Sequence, residues 1–548
     1  MVNSKRNKSN PIVLKRGMTI GTGNAETDDE FLFSCFYNHE AKDELLRTTS
    51  PKMIISGRTG SGKTAILRVI ERDLNNTAVL ELENMSMSYI ANSDVLRFLD
   101  ELGADLDLLF QVLWKHVLCI EFIRLRWSVN NAQKSRSIFE RMSEFLFQDE
   151  RKKKALNYLE TWQDRFWITM DDNIKEITEH YDKELSAALS GELEKFKAGG
   201  QYVKRLSEDK KREIISRTKD IIDGSQLSQL ANVIDALAYV SERDKIGVYY
   251  LLVDQLDENW VDSRIRFKLI RALLNSLRQF RKIADLKIVI ALRTDVRERA
   301  MLEASDPTFQ REKLDDYALD LTWTKQQLRD LIDSRISELF RRRYSKEAVG
   351  FSDLFPEKIG ARATIDWMLE RTLMRPRDII RFINQVLMEA SGATAISQAH
   401  VTKGFLKYSS QRRDALFQEW VSTFPYLKEM LEVFIFGSRR SVYLHEIEDN
   451  KLDPLLLKII TAPDDGSALY QMVKSYMEGN STKKEAILAE CASITYRAGC
   501  VGLKLSNDHP FIYSHLNEPL VSSAIITPST RIRIQPMLYG AYRIEEIN

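Results

Sequence analysis

Residues 53–67 read Met53-Ile54-Ile55-Ser56-Gly57-Arg58-Thr59-Gly60-Ser61-Gly62-Lys63-Thr64-Ala65-Ile66-Leu67. An apolar run, a glycine-rich turn and a helix start follow one another. Met53, Ile54 and Ile55 predict a short buried strand. Ile66, Leu67, Val69 and Ile70 recur at helical spacing, which predicts a helix from Lys63 to about Asp73 with one buried face. Between them the chain fits GxxxxGK[ST]. Glycines let such a loop curl so that successive backbone N–H groups converge on an anion. The helix that begins at Lys63 adds the positive end of its dipole. Lys63 then suits the β- and γ-phosphates of a nucleoside triphosphate, and the Thr64 hydroxyl suits Mg²⁺. The residues assigned to nucleotide contact are Gly57, Arg58, Thr59, Gly60, Ser61, Gly62, Lys63 and Thr64, with ATP and Mg²⁺ as the expected ligands.

Three further stretches carry chemistry. Tyr249-Tyr250-Leu251-Leu252-Val253-Asp254-Gln255-Leu256-Asp257-Glu258 is an apolar strand that ends in acids. Asp254, at the strand's C-terminal end, suits a Mg²⁺ held through water. Asp257 and Glu258 follow within about one turn, and either can deprotonate an attacking water. We assign Glu258 as the base. Alone, the same segment would suit a solvated acidic loop; the glycine-rich loop makes that the weaker reading. Ile288-Val289-Ile290-Ala291-Leu292-Arg293-Thr294-Asp295 is a second buried strand with a polar end. Arg375-Pro376-Arg377-Asp378-Ile379-Ile380-Arg381 starts a helix at Pro376, with Arg377 and Arg381 on one face. A capped surface helix is the bland alternative for it.

The chain of 548 residues is too long for one core. Few prolines (12) and glycines (22) lean it toward helix. With 80 basic and 79 acidic residues, bulk attraction to nucleic acid or membrane is not indicated. Four scattered cysteines and seven histidines in no HExxH pattern predict reduced thiols and no zinc site. No run reaches the length of a spanning helix and no secretory leader is readable, so a cytoplasmic location off the membrane is expected. The division read from the sequence is a basic arm at 1–20, the first part of an ATPase core at 21–92, and an α-helical insertion at 93–240. The second core part at 241–318, a helical lid at 319–412 and a winged-helix-like unit at 413–548 follow. In the last, 501–505 and 511–513 predict a hairpin and 531–535 a final strand. Gly199-Gly200 reads as a turn inside the insertion, whose tryptophans Trp114, Trp127, Trp162 and Trp167 read as packing anchors.

The D-x-L-D-E ending at 254–258 resembles the acidic strand motif of STAND-class, AAA-related ATPases, the NACHT- and KAP-type proteins among them. The arrangement is also similar to orphan bacterial P-loop ATPases with a long helical insert and an RPRD helix, a group often tied to anti-phage defence. That resemblance covers about residues 20–400. It implies an α/β P-loop core of the ASCE type, with a parallel sheet. It implies that Arg293 or Thr294 senses the γ-phosphate and that Arg377, in preference to Arg375, reaches the nucleotide from the lid. Many AAA+ motors carry Glu directly after the first Asp. Gln255 stands there instead, which leaves slow turnover compatible with the sequence.

Two functions from different classes follow. One is an ATP-hydrolysing molecular switch whose nucleotide state controls assembly, as a homo-oligomer or with a separate effector bound through the helical insertion. The other is an ATP-dependent DNA-binding protein that uses Arg497, Lys504, Arg531 and Arg533 near the C-terminal wing; the balanced charge argues against it. A small-molecule kinase is the least favoured.

Overall fold

The computed structural model describes residues 13–82, 94–128, 149–162, 165–167, 208–217, 224–244, 247–258, 261, 263–302, 314–343, 349–421, 423–463, 467–480 and 482–545. Gly199-Gly200 and most of the basic arm lie outside them. The chain forms two compact units. A sheet unit comprises Asn38–Arg58 and Lys63–Leu321; a helical unit comprises Met1–Tyr37, Thr59–Gly62 and Thr322–Asn548.

The sheet unit is built on five strands: β1 (Ile54–Gly57), β2 (Thr77–Leu80), β3 (Tyr249–Val253), β4 (Leu286–Arg293) and β5 (Ala318–Asp320). Their order is β2-β3-β4-β1-β5, and every pairing is parallel. A parallel sheet is covered on both faces, so its strands are continuous apolar runs. All of β3 is buried, and so is β4 up to Arg293. In register, Ser56 pairs with Leu292 and Gly57 with Arg293. Crossovers between parallel strands need helices. Helix α1 (Lys63–Asp73) follows β1 and buries Ile66, Leu67, Val69 and Ile70.

Between β2 and β3 the insertion contributes α2 (Asp107–Trp127), α3 (Glu150–Trp162) and α4 (Gly224–Arg243). Helix α2 is apolar nearly all round, as a helix buried on most sides must be. Trp114, fully buried, donates its indole N–H to the Leu269 carbonyl at 2.8 Å. Leu269 lies in α5 (Ser263–Phe280), the crossover from β3 to β4. Trp162 donates to the Gln229 side chain at 2.5 Å. Both indoles bury a large apolar ring and still satisfy the N–H. A buried ion pair, Arg126 with Asp285, ties the end of α2 to the start of β4.

The helical unit centres on α7 (Lys325–Arg343), α8 (Pro376–Glu389) and α9 (Gln398–Trp420). Helices α8 and α9 approach closely at Gly404, where a Cβ would come within 2.9 Å of the Val386 backbone. A small hairpin, β6 (Lys358–Ile359) and β7 (Arg362–Ala363), lies between α7 and α8. The N-terminal segment joins this unit. Leu14, Ile20 and Phe31 share its core with Leu328 and Ile332. The buried Arg335 of α7 donates to the Ile20 carbonyl at 2.9 Å and pairs with buried Asp28 at 2.6 Å. Helix α9 runs through positions 412 and 413 without a break.

The C-terminal part of the unit carries an antiparallel sheet, β8 (Ser441–Tyr443), β9 (Val501–Lys504) and β10 (Arg531–Ile534), in the order β8-β10-β9. Helices α10 (Leu427–Val433), α11 (Asp449–Thr461) and α12 (Lys484–Ala498) accompany it. The predicted hairpin differs from what forms. Leu503 and Ile512 make an isolated bridge, while the full partner of β9 is β10. Pro510, which lacks an N–H, stands directly before the 511–513 run and limits its ladder.

Candidate functional site

Lys63, Thr64, Asp254, Asp257 and Arg293, all singled out from the sequence, meet at the C-terminal ends of β1, β3 and β4 in the sheet unit. Lys63 is 8% exposed, and its Nζ donates to the carbonyls of Gly57 at 2.9 Å and Arg58 at 3.2 Å. Burial pulls its pKa down to about 8, against the opposing pull of Asp257 and Asp254. The Thr64 hydroxyl hydrogen-bonds the Asp254 carboxylate. Burial raises the Asp254 pKa, and that bond together with Lys63 works the other way.

Past Asp254 the chain turns through Gln255 at φ 61°. A non-glycine residue in the left-handed region costs energy and persists only where its surroundings hold it. Here the Gln255 N–H donates to Asp254 Oδ1 at 2.9 Å, and the Glu258 N–H closes the turn on the Gln255 carbonyl at 3.0 Å. Buried Arg266 of α5 donates to the carbonyls of Asp257 and Glu258 at 3.1 and 3.0 Å. The acidic turn is thus held from below by its backbone. Glu258 is exposed.

Arg293 forms a fork on Asp295 at 3.0 and 2.8 Å and reaches Asp257 at 3.4 Å. Two residues assigned separately, one as a sensor and one beside the base, are therefore paired with each other. Helix α6 (Thr294–Leu302) starts at the next residue, and Thr294 Oγ1 lies 3.4 Å from Ser56 Oγ.

The loop tip, Thr59–Gly62, belongs to the helical unit. Gly60 and Gly62 take φ of +79° and +103°, conformations that favour glycine. At Gly60 there is also no room: a Cβ would meet the Arg377 side chain at 2.7 Å. The Arg377 N–H donates to the Gly60 carbonyl at 3.3 Å, and its Nε donates to the Gly23 carbonyl at 2.9 Å. Arg375, 2% exposed, directs Nη1 to the Thr59 carbonyl and Nε to Asp378 at 2.8 Å. Trp323 donates its indole N–H to the Ser61 carbonyl at 2.7 Å. The hydroxyls Thr59 Oγ1 and Ser61 Oγ are buried without a hydrogen-bond partner among the described residues.

The charges behind Arg375 are themselves paired. Asp378, fully buried, accepts from Arg375 and lies 3.2 Å from Arg412 of α9; Arg375 is also 3.5 Å from Glu419. Burial alone would raise the Asp378 pKa, but Arg375 and Arg412 hold it down to about 2. Arg377, Arg375 and Trp323 thus all reach the loop tip. Nothing local marks Trp323; its role rests on a contact with a residue 262 positions away.

Residues 326–417 match the FunZ-associated C-terminal helical domain. The match takes in most of α7 and α9 and all of α8. No curated protein and no solved structure is significantly similar to the chain. Among the described residues, no helix is long and apolar enough to cross a membrane. In the C-terminal sheet, Arg531 and Arg533 alternate with buried Ile532 and Ile534, and Arg531 stands opposite Lys504. Arg497 instead packs over Phe424 at 5.7 Å.

Proposed function

We propose that the chain is a P-loop NTPase of the ASCE type, one that binds MgATP at residues 57–64 and hydrolyses it as a nucleotide-driven switch. The observation that carries this reading is the hydrogen bond of Thr64 to Asp254. Hard oxygen donors of this kind suit Mg²⁺, which keeps its remaining positions for water and phosphate. The strand order supports the type, since β4 stands between the strand of the glycine-rich loop and the strand of Asp254. The buried, unpartnered hydroxyls of Thr59 and Ser61 support a polar ligand at the loop.

In this reading the loop N–H groups and Lys63 bind the phosphates, and Thr64 and Asp254 would hold Mg²⁺, which would offset phosphate charge. Glu258 accepts a proton from water. The water oxygen bonds to the γ-phosphorus, and the bond from that phosphorus to the β,γ-bridging oxygen breaks, giving ADP and phosphate. The ion pair of Asp257 with Arg293 favours Glu258 over Asp257 as base. Arg293 and Arg377 act on phosphate charge. The biological setting we propose is bacterial anti-phage defence, on the STAND-like resemblance together with the FunZ-associated domain at 326–417.

The switch is tested by the solution mass of the protein with ATP, with ADP and without nucleotide, repeated on Lys63→Ala. An ATP-specific change of assembly that Lys63→Ala lacks is expected. One mass under every condition would refute nucleotide-controlled assembly.

A further inference from the structure

Three successive carbonyls at the loop tip are taken by donors of the helical unit. Thr59 O accepts from Arg375 Nη1, Gly60 O from the Arg377 N–H at 3.3 Å, and Ser61 O from Trp323 Nε1 at 2.7 Å. A trans peptide unit is planar, with its C=O and N–H pointing opposite ways. Fixing the carbonyls of residues 59, 60 and 61 therefore fixes the N–H groups of Gly60, Ser61 and Gly62. Each of those N–H groups points away from the donor that holds its carbonyl, and successive N–H groups are what an anion nest uses.

The donors are themselves rigid. Arg375 is pinned by Asp378 and Glu419 and follows Met374 at φ 51°, another left-handed non-glycine residue. The Trp323 ring packs at 5.7 Å from Tyr37. We propose that Arg375 and Trp323 are positioning residues: they hold the loop by its carbonyls so that its N–H groups are preset for phosphate. This rests on the nucleotide reading above and assigns neither side chain a contact with nucleotide.

The nest N–H groups serve phosphates that ATP and ADP share. A positioning role therefore predicts equal losses for both nucleotides, whereas a γ-phosphate sensor would affect ATP alone. Trp323→Phe removes the indole donor and keeps an aromatic ring. It should weaken MgATP and MgADP binding in parallel, by about five- to tenfold for one lost hydrogen bond, at temperatures well below the midpoint where the variant is fully folded. Arg375→Lys keeps a positive charge beside Asp378 but loses the fork that reaches Asp378 and Thr59 together. It should show the same parallel loss. Wild-type affinity for both nucleotides in both variants would overturn the proposal. So would a loss confined to ATP, or a loss that tracks a fall in the midpoint and disappears on cooling. If the wild-type chain binds neither nucleotide, the nucleotide reading itself fails, an outcome distinct from any of these.

Discussion

At the residue scale, the acidic turn decides whether bound nucleotide is also turned over. Gln255 holds a strained φ of 61° and bonds Asp254 through its backbone N–H. Asp257 is engaged by Arg293, which makes Glu258 the better placed carboxylate to act on an attacking water. Glu258→Gln should therefore lower phosphate release by about a hundredfold or more, the usual contribution of a positioned base. It should leave MgATP affinity close to that of the wild type. Asp257→Asn should cost turnover less, through a loosened Arg293. Wild-type turnover in Glu258→Gln would reject the assignment of the base.

At the scale of elements, the insertion helices carry a buried switch of stability. His116 of α2 is 1% exposed, stacks on Phe166 at 3.7 Å and hydrogen-bonds Tyr158 Oη at 2.9 Å. Burial, aided by Arg124, lowers its pKa from 6.5 to about 3. The folded form thus binds fewer protons than the unfolded form between these values, so this group makes stability fall as pH drops through that window. Each pH unit below 6.5 costs about 1.4 kcal/mol, or about 3 kcal/mol by pH 4.5. Denaturant titrations at pH 7 and 4.5 should show this loss in the wild type and a smaller one in His116→Gln. An equal pH dependence in both would contradict it.

The elements also show what a sequence can convey. Strands β3 and β4 were legible because both faces are buried, which leaves unbroken apolar runs of five residues each, Tyr249–Val253 and Ile288–Leu292. Helix α1 was legible from its apolar spacing and the glycine-rich turn before it. Strand β5 was not: Ala318–Asp320 is too short for a period. Its pairing with β1 depends on distant backbone bonds, such as Leu321 N to Ser56 O at 2.7 Å. Strand β8 was missed for the same reason. Asp254, Asp257, Glu258 and Arg293 stand out in the sequence as charged ends of apolar strands but not as partners; the pair of Asp257 with Arg293 depends on β3 and β4 lying side by side. The grip on the loop carbonyls was invisible, because it joins residues 59–61 to residues 323, 375 and 377.

At the scale of the whole molecule, the chain's short glycine-rich loop is shared out: Arg58 and Lys63 belong to the sheet unit, and Thr59–Gly62 to the helical unit. Each unit has its own buried core. The most direct test of nucleotide binding at that loop is equilibrium calorimetry of MgATP with the intact chain, wild type against Lys63→Ala. Saturable one-site binding is expected in the wild type and at least a tenfold weaker affinity in Lys63→Ala, through loss of a buried charge on phosphate. No binding to the wild type, or equal binding to both, would contradict it.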